Sequence, residues 1–448
     1  MSDAGSAAQR TREGQLSRGE TGLAAWTRFF TSPPGQRWVL RALIAYAVVG
    51  FVVWIQRAGD FAGYLAAGEL VLHGRHLYVG PGTELNTWPP FFSLLCVPLA
   101  VLARPTPYLA RGIWLGLNFI ALWWALHQIA RLIHGAQLRW SPREFSLARP
   151  EMLLPLLITD RYTSSNFDHL QINILLFALA FAGLMAAREG RWLPAGVALG
   201  FAASVKVMPI VFLPYLAWRR QWLAALTMAV AGAVFSLSPA LLFGPVRFWE
   251  YVVAWREKVG AGWGVGKMNQ SVWALWDRLL GHGMVPLAVP GVNDVPESGA
   301  AVVTGAVMLT LLGLLGIAWW RWRGVGRNDW QVAAEWSVVF ACGALFSPVT
   351  WKAYLVVLLL PHTLLVAAWM RAEKGSPLRV LLAVTLALAA VTNLLSPGFV
   401  GRNWAGRLEM ASVPAWIALW TTTVVAYLWP QLGTLARGNG RGAVPGER

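Results

Sequence analysis

Apolar runs long enough to cross a bilayer recur from one end of this chain to the other. A membrane-spanning helix needs about 20 mostly apolar residues to bridge ~30 Å of hydrocarbon. Inside that layer every backbone polar group must be satisfied within the protein. Runs of this kind fall at about 38–56, 109–133, 170–187, 221–243, 299–320, 331–350, 352–370, 378–396 and 412–430. Only 13% of the 448 residues are charged and 56% are hydrophobic, whereas soluble domains carry about 25% charge. The pattern predicts an all-α, polytopic helical membrane protein with about 11–13 transmembrane helices. A β-barrel would show short alternating segments instead.

The net charge of +16 raises the question of nucleic acid, and the placement of the charge answers it. Arginines and lysines cluster in short loops between apolar runs, as the positive-inside rule expects. Their expected partners are membrane lipids with anionic headgroups, and no nucleic acid. The two cysteines, Cys96 and Cys342, lie inside apolar runs, so no disulfide framework is predicted. No pair of the seven histidines has metal-ligand spacing, so neither a metal site nor a cofactor is expected. No nucleotide-binding or hydrolase motif stands in a usable context.

Residues 1–37 are polar and Arg-rich and are expected to form a disordered cytoplasmic tail. Prolines at both ends of "WPPFFSLLCVPLAVLARPTP" (88–107) disfavour a straight crossing there. The polar "DRYTSSNFDH" after 151–159 reads as a connecting segment at 160–169. The stretch 193–220 is basic at both ends, so it is expected to be two short helices folding back, with Lys206 near the turn. With the N-terminus inside, the arginine-rich loops fall on the cytoplasmic side. Asp60, Glu69, Glu84, Asp160, Asp168, Glu250, Asp277 and Asp294 fall outside. The domain is then 38–430, with outer loops at about 57–108 and 244–298, a basic cytoplasmic tail at 431–448, and both termini inside. "SPA", "SPV" and "SPG" at Ser238, Ser347 and Ser396 are expected to stop helices near the outer face.

Ionisable groups at membrane depth are costly and therefore mark candidate sites. Asp60 has two compatible readings: an N-cap for an amphipathic surface helix over 61–73, or an ionised carboxylate facing a cavity. Lys206, in "SVKVMP", is a cation either for a lipid phosphate or for solvent at a loop tip. In "GKMNQSVWALWDRLL", Lys267, Asn269, Gln270, Ser271 and Arg278 could read sugar hydroxyls while Trp273 and Trp276 stack on a pyranose; the alternative is an interfacial helix anchored by Trp. In "SPVTWKAYLVV", Lys352 and Tyr354 end a span, where snorkelling is easy.

In order, "DFAGYLAAGELVLHGRHLY", "WPPFFSLLCVPLAVL", "HLQINILLFAL", "AGVALGFAASVKVMPIVFLP", "MNQSVWALWDRL" and "SPVTWKAYLVVLLLP" resemble glycosyltransferase family 87 of the GT-C superfamily. The resemblance implies a GT-C fold in the bacterial inner membrane and inverting transfer on the extracytoplasmic face. The donor is a polyprenyl-phosphate-linked sugar, mannose in the best-known members. The acceptor is a hydroxyl of a lipid or envelope glycan. It casts Asp60, in an extracytoplasmic loop, as general base and Lys206 beside the donor phosphate. Gln171 and Asn173 match the family's Gln-x-Asn landmark, and Asn269, Gln270 and Ser271 its polar triplet. Tyr64 and Tyr78 become shape or sugar contacts. Members commonly carry a histidine soon after the SP-x-x-W element; here Trp351 is followed by Lys352, Ala353 and Tyr354. His73, His76 and His169 match no motif. A transporter or flippase of a lipid-linked sugar, or a non-catalytic lipid-sugar binder, is the competing expectation; the former would show paired broken helices in an internal repeat.

Overall fold

The computed structural model describes residues 28–141, 144–261, 266–282, 300–322 and 327–437, with side chains at 260, 261, 281, 282 and 300 left aside. Most of the expected tails, and Asp294, lie outside the described residues. Among those described, regular structure is entirely helical. Six of the described helices are long and apolar enough to cross a membrane, or eight spans if two bent pairs each count as one. The folded-back pair of crossings expected in 193–220 falls on apolar helices shorter than a span, Trp192–Val205 and Met208–Trp218.

Local chemistry explains the helix limits. The first span, Pro33–Trp54, starts inside the segment expected to be a tail. Proline occupies its first turn, and the Ser32 side chain accepts from Gly35 N. Pro107–His134 repeats this with Thr106 accepting from Tyr108 N, and ends at left-handed Gly135. Asn328 and Gln331 form a capping box for Asp329–Leu345. Two of the three Ser-Pro elements stop a helix, Asp329–Leu345 ending just before Ser347 and Pro377–Leu394 before Ser396; at Ser238, after Trp222–Leu237, the backbone stays α-helical (φ −54°, ψ −31°) and the span runs on to Phe243. The basic tail begins later than expected, because Trp429–Arg437 is helical.

Two breaks depart from straight spans, and both matter for the site. The polar "DRYTSSNFD" stretch, expected to connect, is the second half of a continuous helix, Pro150–Asp168. Its polar side chains are absorbed by neighbours: Arg161 by Glu409, Asn166 by Tyr162 O and Ala353 O, and Ser164 by Asp160. The chain then bends by 116° into Asn173–Arg188, with Leu170 held at φ 49° in the turn.

The second break is at Lys206. Gly196, Gly200 and Ser204 line one face of Trp192–Val205. A Cβ at Gly196 would press on Met228 N at 2.7 Å, and one at Gly200 on Gly232 N at 2.7 Å. Ser204 donates to Gly232 O at 3.0 Å and accepts from Ser236 at 3.1 Å. Small residues allow this backbone contact between membrane helices. The partners rise together along both helices, so Trp192–Val205 and Trp222–Leu237 run parallel. The intervening Met208–Trp218 must therefore return between them, as the basic residues at both ends of 193–220 predicted. Lys206 lies in the turn, in extended conformation (φ −152°, ψ 127°).

Candidate active site

Asp60 is attached to the bend at two points. Its backbone N–H donates to His169 O at 2.8 Å, and its Oδ2 accepts from Gln171 Nε2 at 2.7 Å. Gly59 permits this approach: its φ is +50°, and an added Cβ would lie 2.8 Å from His169 Cα. Asp60 immediately precedes Phe61–Leu72, but its side chain makes no capping bond. The cap expectation fails because Gln171 takes the carboxylate away from the helix N–H groups. The helix is not a surface helix either: Phe61, Tyr64, Ala67 and Leu70 are buried in the core.

Hydrogen bonds run on from the carboxylate to the second candidate. Asn173 Nδ2 donates to Gln171 Oε1 at 2.6 Å. Lys206 Nζ donates to Asn173 Oδ1 at 2.7 Å and lies 3.3 Å from the centre of the Tyr354 ring, within cation–π range. Asp60, Tyr64, Gln171, Lys206, Trp351 and Tyr354 share one cavity of about 100 Å³, closed by Trp88, Leu85, Thr87, Val259 and Val349. Burial pushes the Asp60 carboxyl above the usual aspartate range, against the opposing pull of His169, Lys206 and the Gln171 hydrogen bond.

Tyr64 is 1% exposed and wedged edge-on between Trp88 and Phe92, ring centres 4.6 and 5.0 Å away. It reaches the cavity as a fixed wall. Above it, one face of the Pro245–Ala261 helix holds the loop before Trp88. Arg247 donates to Gly74 O at 2.7 Å, Tyr251 to Arg75 O at 3.4 Å and Trp255 to Thr87 O at 3.0 Å, and Lys258 donates to Thr83 O.

Other sequence candidates lie elsewhere. Tyr78 donates to Trp88 O at 2.7 Å and packs with Leu70, Leu77 and Tyr251, away from the cavity. Asn269 binds Pro348 O and accepts from Thr350 N and Ser271 N. Gln270 donates to Lys267 O and Glu409 O. Arg278 reaches Gly266 O, Asn269 O, Glu409 O and Ser412 Oγ. These side chains tie backbone segments together; none of them lines the cavity. Lys267 is exposed, and Trp276 donates to Thr310 rather than facing the cavity. Lys352 does not point into the site; its Nζ is 2.6 Å from Glu409 Oε1, which also binds Arg161 at 2.8 Å. The cavity position beyond Trp351 belongs to Tyr354.

Sequence reasoning missed Arg161, Glu409, Asn166 and His169. Arg161 and Glu409 are 248 positions apart, with no local signal to join them. Among the described residues, no three His, Cys, Asp or Glu side chains gather as metal ligands would.

The model of glycosyltransferase family 87 matches residues 86–348. That stretch contains Gln171, Asn173 and Lys206, while Asp60 and Tyr64 precede it and Trp351 and Tyr354 follow. A polyprenol-phosphate-mannose-dependent alpha-(1-2)-phosphatidylinositol pentamannoside mannosyltransferase of Mycobacterium tuberculosis (strain CDC 1551 / Oshkosh) is 26% identical over 355 residues, covering 74% of this chain and 73% of its own. A polyprenol-phosphate-mannose-dependent alpha-(1-2)-phosphatidylinositol mannoside mannosyltransferase of Mycolicibacterium smegmatis is 27% identical over 351 residues, covering 73% and 74%. Among solved structures, ArnT from Cupriavidus metallidurans bound to undecaprenyl phosphate aligns with a TM-score of 0.42 and 17% identity over 90% of this chain and 78% of that one.

Proposed function

Because the chain belongs to glycosyltransferase family 87, we propose that it moves a sugar, mannose in the first instance, from a polyprenyl phosphate to a hydroxyl of a lipid-linked or envelope glycan. Asp60 is the general base, and the reaction takes place on the extracytoplasmic face of the bacterial inner membrane. The donor class follows the names of the relatives, which are polyprenol-phosphate-mannose-dependent. One observation carries the residue assignment: an aspartate and a lysine line the same small cavity and are joined through two amides.

The acceptor oxygen attacks the anomeric carbon from the face opposite the phosphate. The bond from that carbon to the phosphate oxygen breaks, and its electron pair leaves with the phosphate. The acceptor's proton passes to the Asp60 carboxylate, a step worth about 10²–10⁴ in rate. Lys206 stabilises the charge growing on the departing phosphate in a site screened from water. The phosphate leaves without protonation, so one carboxylate suffices and no metal is needed. Configuration inverts, since a double displacement would need a second nucleophile.

Transfer from polyprenyl-phosphate mannose in membranes expressing the protein tests this reading. Asp60→Asn should lose about 10²-fold or more in kcat while binding polyprenyl phosphate like the wild type. Wild-type turnover in that variant removes Asp60 as the base. Uptake of a solute into proteoliposomes without transfer removes the enzyme reading.

A further inference from the structure

Lys206 and Asp60 lie at the two ends of a hydrogen-bonded line whose middle members have no choice of orientation. An ammonium only donates and a carboxylate only accepts. Asn173 must therefore turn its oxygen to Lys206 (2.7 Å) and its nitrogen to Gln171 (2.6 Å). Gln171 must turn its nitrogen to Asp60 (2.7 Å). Both amide dipoles run in the same sense from cation to anion, and hydrogen bonds in such a line strengthen one another. The line is also held from its sides. Asn173 Nδ2 lies 3.1 Å from Asn166 Oδ1, and Asn166 is fixed to Tyr162 O and Ala353 O.

We propose that Gln171 and Asn173 are positioning residues that couple the donor site to the base: a phosphate arriving at Lys206 draws the ammonium away from Asn173, and the carboxylate at the other end of the line becomes a stronger proton acceptor. The base is thus held back in the empty enzyme and activated by its own donor. This rests on the reading of Asp60 as base and Lys206 as phosphate contact, and it gives the two amides a role other than touching sugar. Among the described residues, the charged and titratable groups acting on Asp60 are His169 from the bend, Lys206 from the turn, Tyr64 from its own helix and Tyr354 from the segment after Trp351. The relay is the hydrogen-bonded connection from Asp60 to a cation.

The test needs no acceptor. Infrared titration follows the protonated-carboxyl band that Asp60→Asn removes, with and without undecaprenyl phosphate. In the wild-type protein the lipid should raise the midpoint by about one pH unit, the low end for a charge beside a carboxylate. Asn173→Leu keeps the side-chain volume and cuts the line, and should shrink the rise to less than half; Gln171→Met cuts the next link and should do the same. If one variant fails to fold, judged by its melting curve, the other decides. A full rise in a folded variant means the phosphate acts on Asp60 directly through space, and overturns the relay, as does no rise in the wild type. If Asp60→Asn transfers sugar normally, the base reading fails independently of the titration.

Discussion

At the scale of single residues, the site depends on a carboxylate kept where ionisation is hard. Burial raises the Asp60 carboxyl, so the folded state holds that proton more tightly than the unfolded chain does. Ionising Asp60 therefore costs stability as pH rises past the unfolded value. Asp60→Asn should be at least as heat-stable as wild type at neutral pH. Any advantage should vanish in acid, where the wild-type group is also neutral; a thermal-melting series in detergent reads this. Catalysis has the opposite sign. Only the ionised form accepts a proton, so kcat/KM should climb with pH through a limb above the usual aspartate range, and a limb at or below that range counts against the burial argument. Lys206→Met removes the phosphate's counter-charge and should lower kcat more than it raises the donor KM, because the phosphate charge grows in the transition state.

At the scale of elements, two helices decide whether those residues meet. Gly200→Val would drive a side chain into the Gly232 backbone, separating Trp192–Val205 from Trp222–Leu237 and moving Lys206 off Asn173. Overpacking of this kind costs about 1–3 kcal/mol, and transfer should fall further than the melting temperature alone accounts for. The Pro245–Ala261 helix carries its donors at Arg247, Tyr251, Trp255 and Lys258, a spacing that puts them on one face. Each bond to the loop is worth about 0.5–1.5 kcal/mol. Trp255→Phe with Lys258→Met should therefore speed hydrogen exchange at 74–88 and raise KM with little change in global melting. The break at Lys206 was readable, since basic residues at both ends of a long apolar stretch leave only a return. The helix through "DRYTSSNFD" was not, because its polar side chains are satisfied by segments far away in sequence.

At the scale of the whole molecule, buried acids act as junctions. Glu409 gathers Arg161 and Lys352, its side chain and that of Arg161 being 6% and 7% exposed, and its backbone oxygen accepts from Gln270 and Arg278. Glu335, fully buried, gathers Arg219, Arg327, Tyr215 and Trp429. Removing one partner of a buried pair costs about 3–5 kcal/mol, because it strands the other charge. Glu409→Gln should lower the melting temperature clearly and weaken transfer through disorder at Trp351 and Tyr354; a variant that melts like wild type sinks this role for Glu409. Composition and the spacing of apolar runs were enough to determine an all-helical membrane protein, the helix ends at Ser347 and Ser396, the turn at Lys206 and the candidacy of Asp60. Those are properties of short windows, where period, charge and breakers act locally. Which polar residues face the cavity was decided only by the tertiary structure. Lys352, Asn269, Gln270 and Arg278 had the right chemistry for a sugar site, but Glu409 and nearby carbonyls took them. Gln171 and Tyr354 reached the cavity, and Asn173 reached Gln171 and Lys206 beside it, because a 116° bend and a parallel helix pair brought their segments to Asp60. A buried polar group must find a partner, and the partner it finds depends on the packing of segments that are distant in sequence.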